Sequence, residues 1–95
     1  MIFDPTFTHL EQAMKASALR QAVISHNIAN ANTPGFEPMD FNEELGRAVK
    51  RQDKKVVIEE EMAALADNSV KYSSYVKLIS TKLNIIRTIA TQGRR

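Results

Sequence analysis

The sequence predicts an all-α fold: two long helices, at about residues 5–32 and 58–91, packed as an antiparallel coiled-coil hairpin. Apolar residues recur at alternating spacings of four and three in both segments, as in coiled coils. The 95 residues contain only three glycines and three prolines, and three of these six lie between residues 34 and 38. Because breakers are concentrated there, long stretches are free to be helical. At this length we expect a single domain, residues 1–95, with 33–57 as connector.

The first predicted helix has sequence signals at both ends. Asp4 is suited to cap free backbone N–H groups, and Pro5 fits the first helical position, where its missing donor costs nothing. Pro34 disfavours helical geometry at the residue before it, and Gly35 follows. These signals predict a helix of roughly 42 Å at 1.5 Å per residue.

The second predicted helix is free of breakers. No glycine or proline occurs between Gly46 and Gly93. Three glutamates at 59–61 lie near its start, and Lys82 and Arg87 lie towards its end. This distribution of charge complements the helix dipole and supports a continuous helix.

The four-three repeat defines a seam along each helix. In the first helix the seam weakens at Ser17 and Gln21, whereas in the second it continues through nearly five heptads. Such a repeat predicts burial between packed helices. The predicted seam residues are Phe7, Leu10, Met14, Ile24, Ile28, Met62, Leu65, Tyr72, Val76, Ile79, Leu83 and Ile86.

The connector is predicted to contain an extended Pro/Gly turn and a short helix. The turn is expected at residues 34–38. Asp40 and Glu43 form a capping-box pattern ahead of Phe41, Leu45 and Val49, which share one helical face. We therefore expect a middle helix at about 41–51.

Apolar residues also lie off the seam of the second helix, and a lone hairpin would leave them in water. Burial of each large apolar side chain contributes about 1.5–3 kcal/mol, so their exposure forfeits considerable stability. We infer that other chains cover them and that the protein is a subunit of an assembly. These residues are Val70, Tyr75, Leu78, Ile85 and Ile89.

Catalytic and cofactor chemistry lack support in the sequence. There is no cysteine, and His9 and His26 are about 25 Å apart on the predicted helix, too far to share a metal. The serines have no glycine-rich elbow or positioned histidine base, and no phosphate-binding glycine loop occurs. We expect a protein that is not an enzyme and has no catalytic, cofactor or metal site.

Charge and hydropathy also argue against nucleic acid and membranes as binding partners. The net charge is +2, with both signs interspersed, which gives no strong field for nucleic acid. Apolar runs are far shorter than the roughly 20 residues of a membrane span. The start Met-Ile-Phe-Asp-Pro lacks the basic and apolar regions of a secretory signal. We expect no nucleic-acid binding, no membrane insertion and no cleavable signal peptide.

The end of the first helix is unusually rich in asparagine, with Asn27, Asn30 and Asn32 within six residues. Asparagine is a mediocre helix former, so these amides could simply cap carbonyls at a frayed end. Alternatively, small residues admit a neighbouring helix while the amides bond to its backbone and fix a subunit contact. The residues alone leave both interpretations open.

One block spans residues 25–36 and ends in Asn-Thr-Pro-Gly-Phe, and a second lies within residues 61–83. Both resemble bacterial flagellar axial proteins, which comprise the rod, hook and hook-associated proteins. The stretch from residue 61 to 72 and the stretch from 78 to 83 are similar to proximal-rod members in particular. Those members usually have a longer segment between their helices. The N-terminal block matches the signature of the whole family and contains Ser25, Asn27, Ile28, Asn30, Asn32, Thr33, Pro34, Gly35 and Phe36.

This resemblance implies a structural subunit of the proximal rod. Terminal helices of such proteins pack as coiled coils in the inner tube of the rod, which crosses the periplasm and transmits torque. The implied partners are other rod and basal-body proteins, further copies of the chain, and the flagellar export apparatus. The implied location is the basal body, reached without a cleaved signal, and the signature residues are implied to mediate subunit packing.

Two other functions remain compatible with the residues. One is a soluble helical adaptor or export chaperone that binds a partner helix in an apolar groove. The other is a small basic helical protein that binds nucleic acid, for which a salt titration of DNA affinity would be the test.

Overall fold

The computed structural model describes residues 5–92 of an elongated molecule that measures 65 × 24 × 15 Å. Helix α1 spans Pro5–Ala29, strands β1 and β2 span Met39–Asn42 and Arg47–Lys50, and helix α2 spans Ile58–Gln92. The capping role predicted for Asp4 lies outside the described residues. The chain is therefore mostly helical, with a small two-stranded sheet that the all-α prediction did not contain.

Helix α1 begins at Pro5 as predicted but ends at Ala29, three residues before the predicted end. Its last turn tightens, because the backbone N–H of Ala31 donates to Ile28 O at 3.3 Å and that of Thr33 to Asn30 O at 3.0 Å. Bonds of this i→i+3 type satisfy carbonyls at a helix end without continuing the α-helix. Asn30 and Asn32 therefore lie in turns rather than in a further helical turn, whereas Asn27 lies within α1.

The predicted middle helix at 41–51 is wrong, because these residues form an antiparallel β-hairpin. Met39 pairs with Lys50 and Asn42 with Arg47. The loop closes through Gly46 N–H to Asn42 O at 2.8 Å, and the Asn42 side chain accepts from Leu45 N–H at 2.8 Å. Gly46 adopts φ +65°, a left-handed conformation that glycine tolerates best. This loop geometry ends any helix that could start at Asp40.

Helices α1 and α2 pack antiparallel. Ser17 bonds to Asn68, whereas Ile24, later in α1, lines the same cleft as Glu61, earlier in α2. The interface buries little apolar surface. Among the described residues of the two helices, one large apolar side chain is buried, that of Ile24, at 7% exposure. Polar residues occupy the other most buried positions of the two helices, namely Ser17, Asn27, Glu61 and Asn68.

Candidate functional site

The segment of residues 25–36, which carries the family signature, contacts the β-hairpin through Asn27 and places it against α1. This side chain is fully buried, and its Nδ2 donates to Met39 O at 2.7 Å while its Oδ1 accepts from Met39 N–H at 2.9 Å. The amide thus satisfies both polar groups of one strand residue, as a neighbouring strand would. Asn27 therefore determines where β1 lies on the helix.

The Pro34-Gly35 turn sends the chain from α1 towards β1. The backbone N–H of Phe36 donates to Thr33 O at 3.1 Å, and Gly35 has φ +76°. A proline followed by a residue of positive φ is typical of a type II turn. The ring of Phe36 packs edge-on against His26, with centroids 5.2 Å apart, which fixes the turn to the helix end.

The signature residues divide between the fold and the surface. Asn30 Nδ2 donates to His26 O at 2.9 Å, the capping geometry expected of an asparagine at a frayed end. Ile28 and Phe36 are half-buried. The remaining signature residues are exposed and free of burial within this chain: Ser25, Asn32, Thr33, Pro34 and Gly35. Their role in subunit packing stays a prediction.

A polar layer, which we define as Ser17, Gln21 and Asn68, crosses the middle of the helix interface. Asn68 Nδ2 donates to Ser17 O and to Gln21 Oε1, both at 2.8 Å. Asn68 Oδ1 accepts from Ser17 Oγ at 3.0 Å and from Arg20 Nη1 at 3.3 Å. The asparagine therefore uses both amide hydrogens and both oxygen lone pairs.

Two arginines form contacts between the β-hairpin and the helices. The Arg20 guanidinium lies 5.1 Å from the centre of the Phe41 ring and pairs with Glu43 in the hairpin loop. Arg51, immediately after β2, donates from Nε to Asp40 Oδ1 at 2.9 Å and pairs through Nη1 with Glu61 Oε1 at 2.7 Å. The hairpin is thus held to α1 by Arg20 and Asn27 and to α2 by Arg51.

Burial and bonding have opposite effects on Arg51. Partial burial alone would lower the pKa of Arg51, but the hydrogen bonds and charges of Glu61 and Asp40 outweigh it and raise the pKa. The Glu61 side chain is 8% exposed, so its carboxylate depends on this arginine for compensation.

Replacing Arg51 with lysine is expected to lower the free energy of unfolding by about 1 kcal/mol. Lysine keeps the charge but cannot present the two-pronged donor set that reaches both Asp40 and Glu61. Urea denaturation followed by circular dichroism measures the loss, with Arg47→Lys on the exposed side of β2 as the matched control. Equal stabilities of the two variants would contradict this role for Arg51.

The predicted seam residues lie at different depths within the single chain. Ile24 is buried, and Met62, Tyr72 and Val76 are exposed, at 56, 38 and 39%. Half-buried are Phe7, Leu10, Met14, Ile28, Leu65, Ile79, Leu83 and Ile86. The buried side chains of α2 are Glu61, which pairs with Arg51, and Asn68, which bonds to Ser17. Each lies one residue before a position of the predicted repeat. Packing of the exposed seam residues stays a prediction about neighbouring chains.

Several large apolar side chains of α2 are exposed beyond the seam. Val70, Leu78, Ile85 and Ile89 are between 53 and 67% exposed. Leu78, Ile85 and Ile89 are spaced by seven and four residues, so they lie on one side of the helix. We call these three residues the α2 apolar stripe.

Within residues 5–92, histidine, aspartate and glutamate side chains form no group of three arranged to hold a metal ion. Over the same range, neither helix combines the length and the apolar character needed to cross a membrane.

Comparison with known proteins relates the chain to flagellar rod proteins. A family model described as "Flagella basal body rod protein" matches residues 7–36, which comprise most of α1 and the Pro34-Gly35 turn. The match therefore covers the segment that carries Asn27 and positions the hairpin.

Curated relatives have similar descriptions. The chain is 23% identical to the flagellar basal body rod protein FlgB of Bacillus subtilis over 127 residues, with 98% of both chains covered. It is 37% identical to FlgB of Buchnera aphidicola over 54 residues, which are 55% of this chain and 41% of that protein. It is 45% identical to FlgB of Aeromonas hydrophila over 40 residues, or 42% of this chain and 30% of that protein. The last two matches thus span less than half of those relatives.

The first alignment also shows a difference in length between the two chains. Its 127 positions exceed the 95 residues of this chain, so the Bacillus subtilis protein contains residues that have no counterpart here.

Proposed function

We propose that this chain, as a member of the FlgB family of flagellar basal body rod proteins, polymerises in the proximal rod through its two long helices. Proteins of this family are structural, so the chain is a structural rod subunit rather than an enzyme. Its place is the flagellar basal body, in association with other flagellar components.

The observation that supports polymerisation is the amount of apolar surface that the single chain leaves exposed on α2. Leu78, Ile85 and Ile89 are 53, 55 and 62% exposed, while the interface with α1 buries few large apolar side chains. Water-exposed apolar patches of this kind typically mark contacts with other proteins. Neighbouring subunits that covered the α2 apolar stripe would supply the burial that the lone chain lacks.

Further parts of the proposal concern how the subunits pack and how the chain reaches the basal body. The helices and hairpin of residues 1–95 act as one unit, and the predicted seam residues form coiled-coil contacts within and between subunits. The exposed signature residues face neighbouring subunits. The rod transmits torque across the periplasm, and the flagellar export apparatus delivers the subunit without a cleaved signal peptide.

Fractionation of the bacterium that encodes the chain tests this function. A rod subunit is expected to co-purify with basal bodies extracted in detergent, and to be absent from that fraction when rod assembly is genetically blocked. A soluble adaptor or export chaperone would instead remain in the soluble fraction in both strains. Recovery of the protein only in the soluble fraction would contradict the proposal.

A further inference from the structure

The most buried part of the helix interface is polar. Ser17 and Asn68 are 0 and 2% exposed, and they lie at the point where the apolar repeat of α1 is interrupted. Within residues 5–92, no buried side-chain nitrogen or oxygen lacks a hydrogen-bond partner. The buried polar atoms of this layer therefore all have hydrogen-bond partners in the observed register. Apolar residues at the same positions would not require such specific partners.

A shift by one heptad would preserve the spacing of the apolar repeat but would disrupt the polar layer. In the observed register Asn68 is level with Ser17. A one-heptad slip would bring Asn68 level with Ile24 in one direction and with Leu10 in the other. Neither side chain offers a donor or an acceptor, so the Asn68 amide would be buried without its partners. The apolar repeat alone has no comparable preference, because it recurs every seven residues.

The hairpin restrains such slips within one chain, since Asn27 holds it to α1 and Arg51 holds it to α2. A slipped pairing is therefore formed most readily between copies, with α1 of one chain against α2 of another. The exposed apolar residues of α2 make such encounters favourable when the chain is concentrated.

We propose that the polar layer of Ser17, Gln21 and Asn68 selects the register in which α1 and α2 pair and disfavours helix pairings between copies that are slipped by one heptad. The three residues thus determine the specificity of pairing rather than its strength. A buried asparagine in a coiled coil acts in the same physical way, because a satisfied amide tolerates one register. This inference does not depend on the proposed function, since it concerns the choice of helix partner in any setting.

Cross-linking with a short bismaleimide tests the proposal in the full chain, which has no native cysteine. Ala13 and Tyr75 line one groove in the observed structure, so Ala13→Cys with Tyr75→Cys reports the observed register. A slip that makes Asn68 level with Ile24 moves α2 by seven residues and puts Lys82 in the place that Tyr75 has in the observed register. Ala13→Cys with Lys82→Cys therefore reports the slipped register. Denaturing gels separate links within a chain from links between copies.

Asn68→Leu is expected to raise the yield of the slipped link, relative to the observed-register link, at least tenfold, mainly as a covalent dimer. Asn84→Leu, the same change at an exposed position of α2, is expected to leave the ratio unchanged. An unchanged ratio in Asn68→Leu, or an equal rise in Asn84→Leu, would overturn the proposal.

A second variant covers the case in which Asn68→Leu loses helicity. Ser17→Ile, Gln21→Leu and Asn68→Leu together give an uninterrupted apolar seam, which is expected to remain helical by circular dichroism and to show the same rise in slipped dimers. Loss of helicity in this variant would show that the layer supplies stability rather than specificity, and would also overturn the proposal.

Discussion

Replacing Asn27 with alanine is expected to release the β-hairpin from α1 and to destabilise its docking by about 2–4 kcal/mol. The change removes the donor for Met39 O and the acceptor for Met39 N–H at a fully buried position. Each buried backbone group left without a partner costs about 1–3 kcal/mol. Hydrogen exchange at the Met39 amide measures the effect directly, and protection there is expected to fall at least thirtyfold.

Two further variants make this test specific. Asn32→Ala changes an exposed asparagine of the same segment and is expected to alter stability by less than about 0.5 kcal/mol. Asn27→Asp keeps an acceptor for Met39 N–H but loses the donor to Met39 O, so it also disrupts the pairing. Unchanged exchange at Met39 in Asn27→Ala would show that this amide does not hold the hairpin.

The two long helices could be predicted because their signals are local and repeated. Helix α2 begins at Ile58, as predicted, and extends to Gln92, one residue past the predicted end. Its absence of breakers and the three glutamates of its first turn act along the chain itself and need no tertiary information, whereas its last turn has no basic residue. The end of α1 was predicted three residues late, since the capping of His26 O by the Asn30 side chain competes with helix continuation.

The hairpin was missed because its apolar spacing satisfies two periods. Phe41, Leu45 and Val49 are four residues apart, which fits one face of a helix and, being an even spacing, also one face of a strand. In the structure Phe41 and Val49 are half-buried on paired strands, while Leu45 lies exposed in the loop. Gly46, in the middle of the supposed helix, was the available signal for a turn.

The contacts of Asn27 and Asn68 could not have been read from local sequence. Each joins segments that are distant along the chain: Asn27 pairs with Met39, and Asn68 pairs with Ser17, 51 residues away. The weak point of the α1 seam at Ser17 and Gln21 did indicate an interruption, but it did not identify the partner. The burial of Glu61 instead of Met62 likewise depends on Arg51, which lies in the connector.

The assembly proposal predicts its largest effect at Leu83, in the part of α2 that extends past α1. Since Ser17 is level with Asn68 and both helices rise about 1.5 Å per residue, Pro5 is level with about residue 80. Leu83 is half-buried in the single chain and belongs to the predicted seam. The assembly proposal assigns the rest of its burial to neighbouring subunits.

Leu83→Asp is expected to abolish rod assembly and motility when it replaces the native gene in the bacterium that encodes the chain. A carboxylate without a partner in a dry interface costs several kcal/mol at each subunit, and a polymer repeats this cost at every contact. Basal bodies counted by electron microscopy and swimming in soft agar measure the result.

Asn84→Asp places the same charge at an adjacent exposed position, and a strain with this change is expected to swim normally. Circular dichroism of the two purified variants checks that both remain helical, so that a loss of assembly is not a loss of folding. A motile Leu83→Asp strain with intact basal bodies would refute packing through this seam, whereas equal failure of both variants would assign the defect to charge at this end of α2 rather than to the seam.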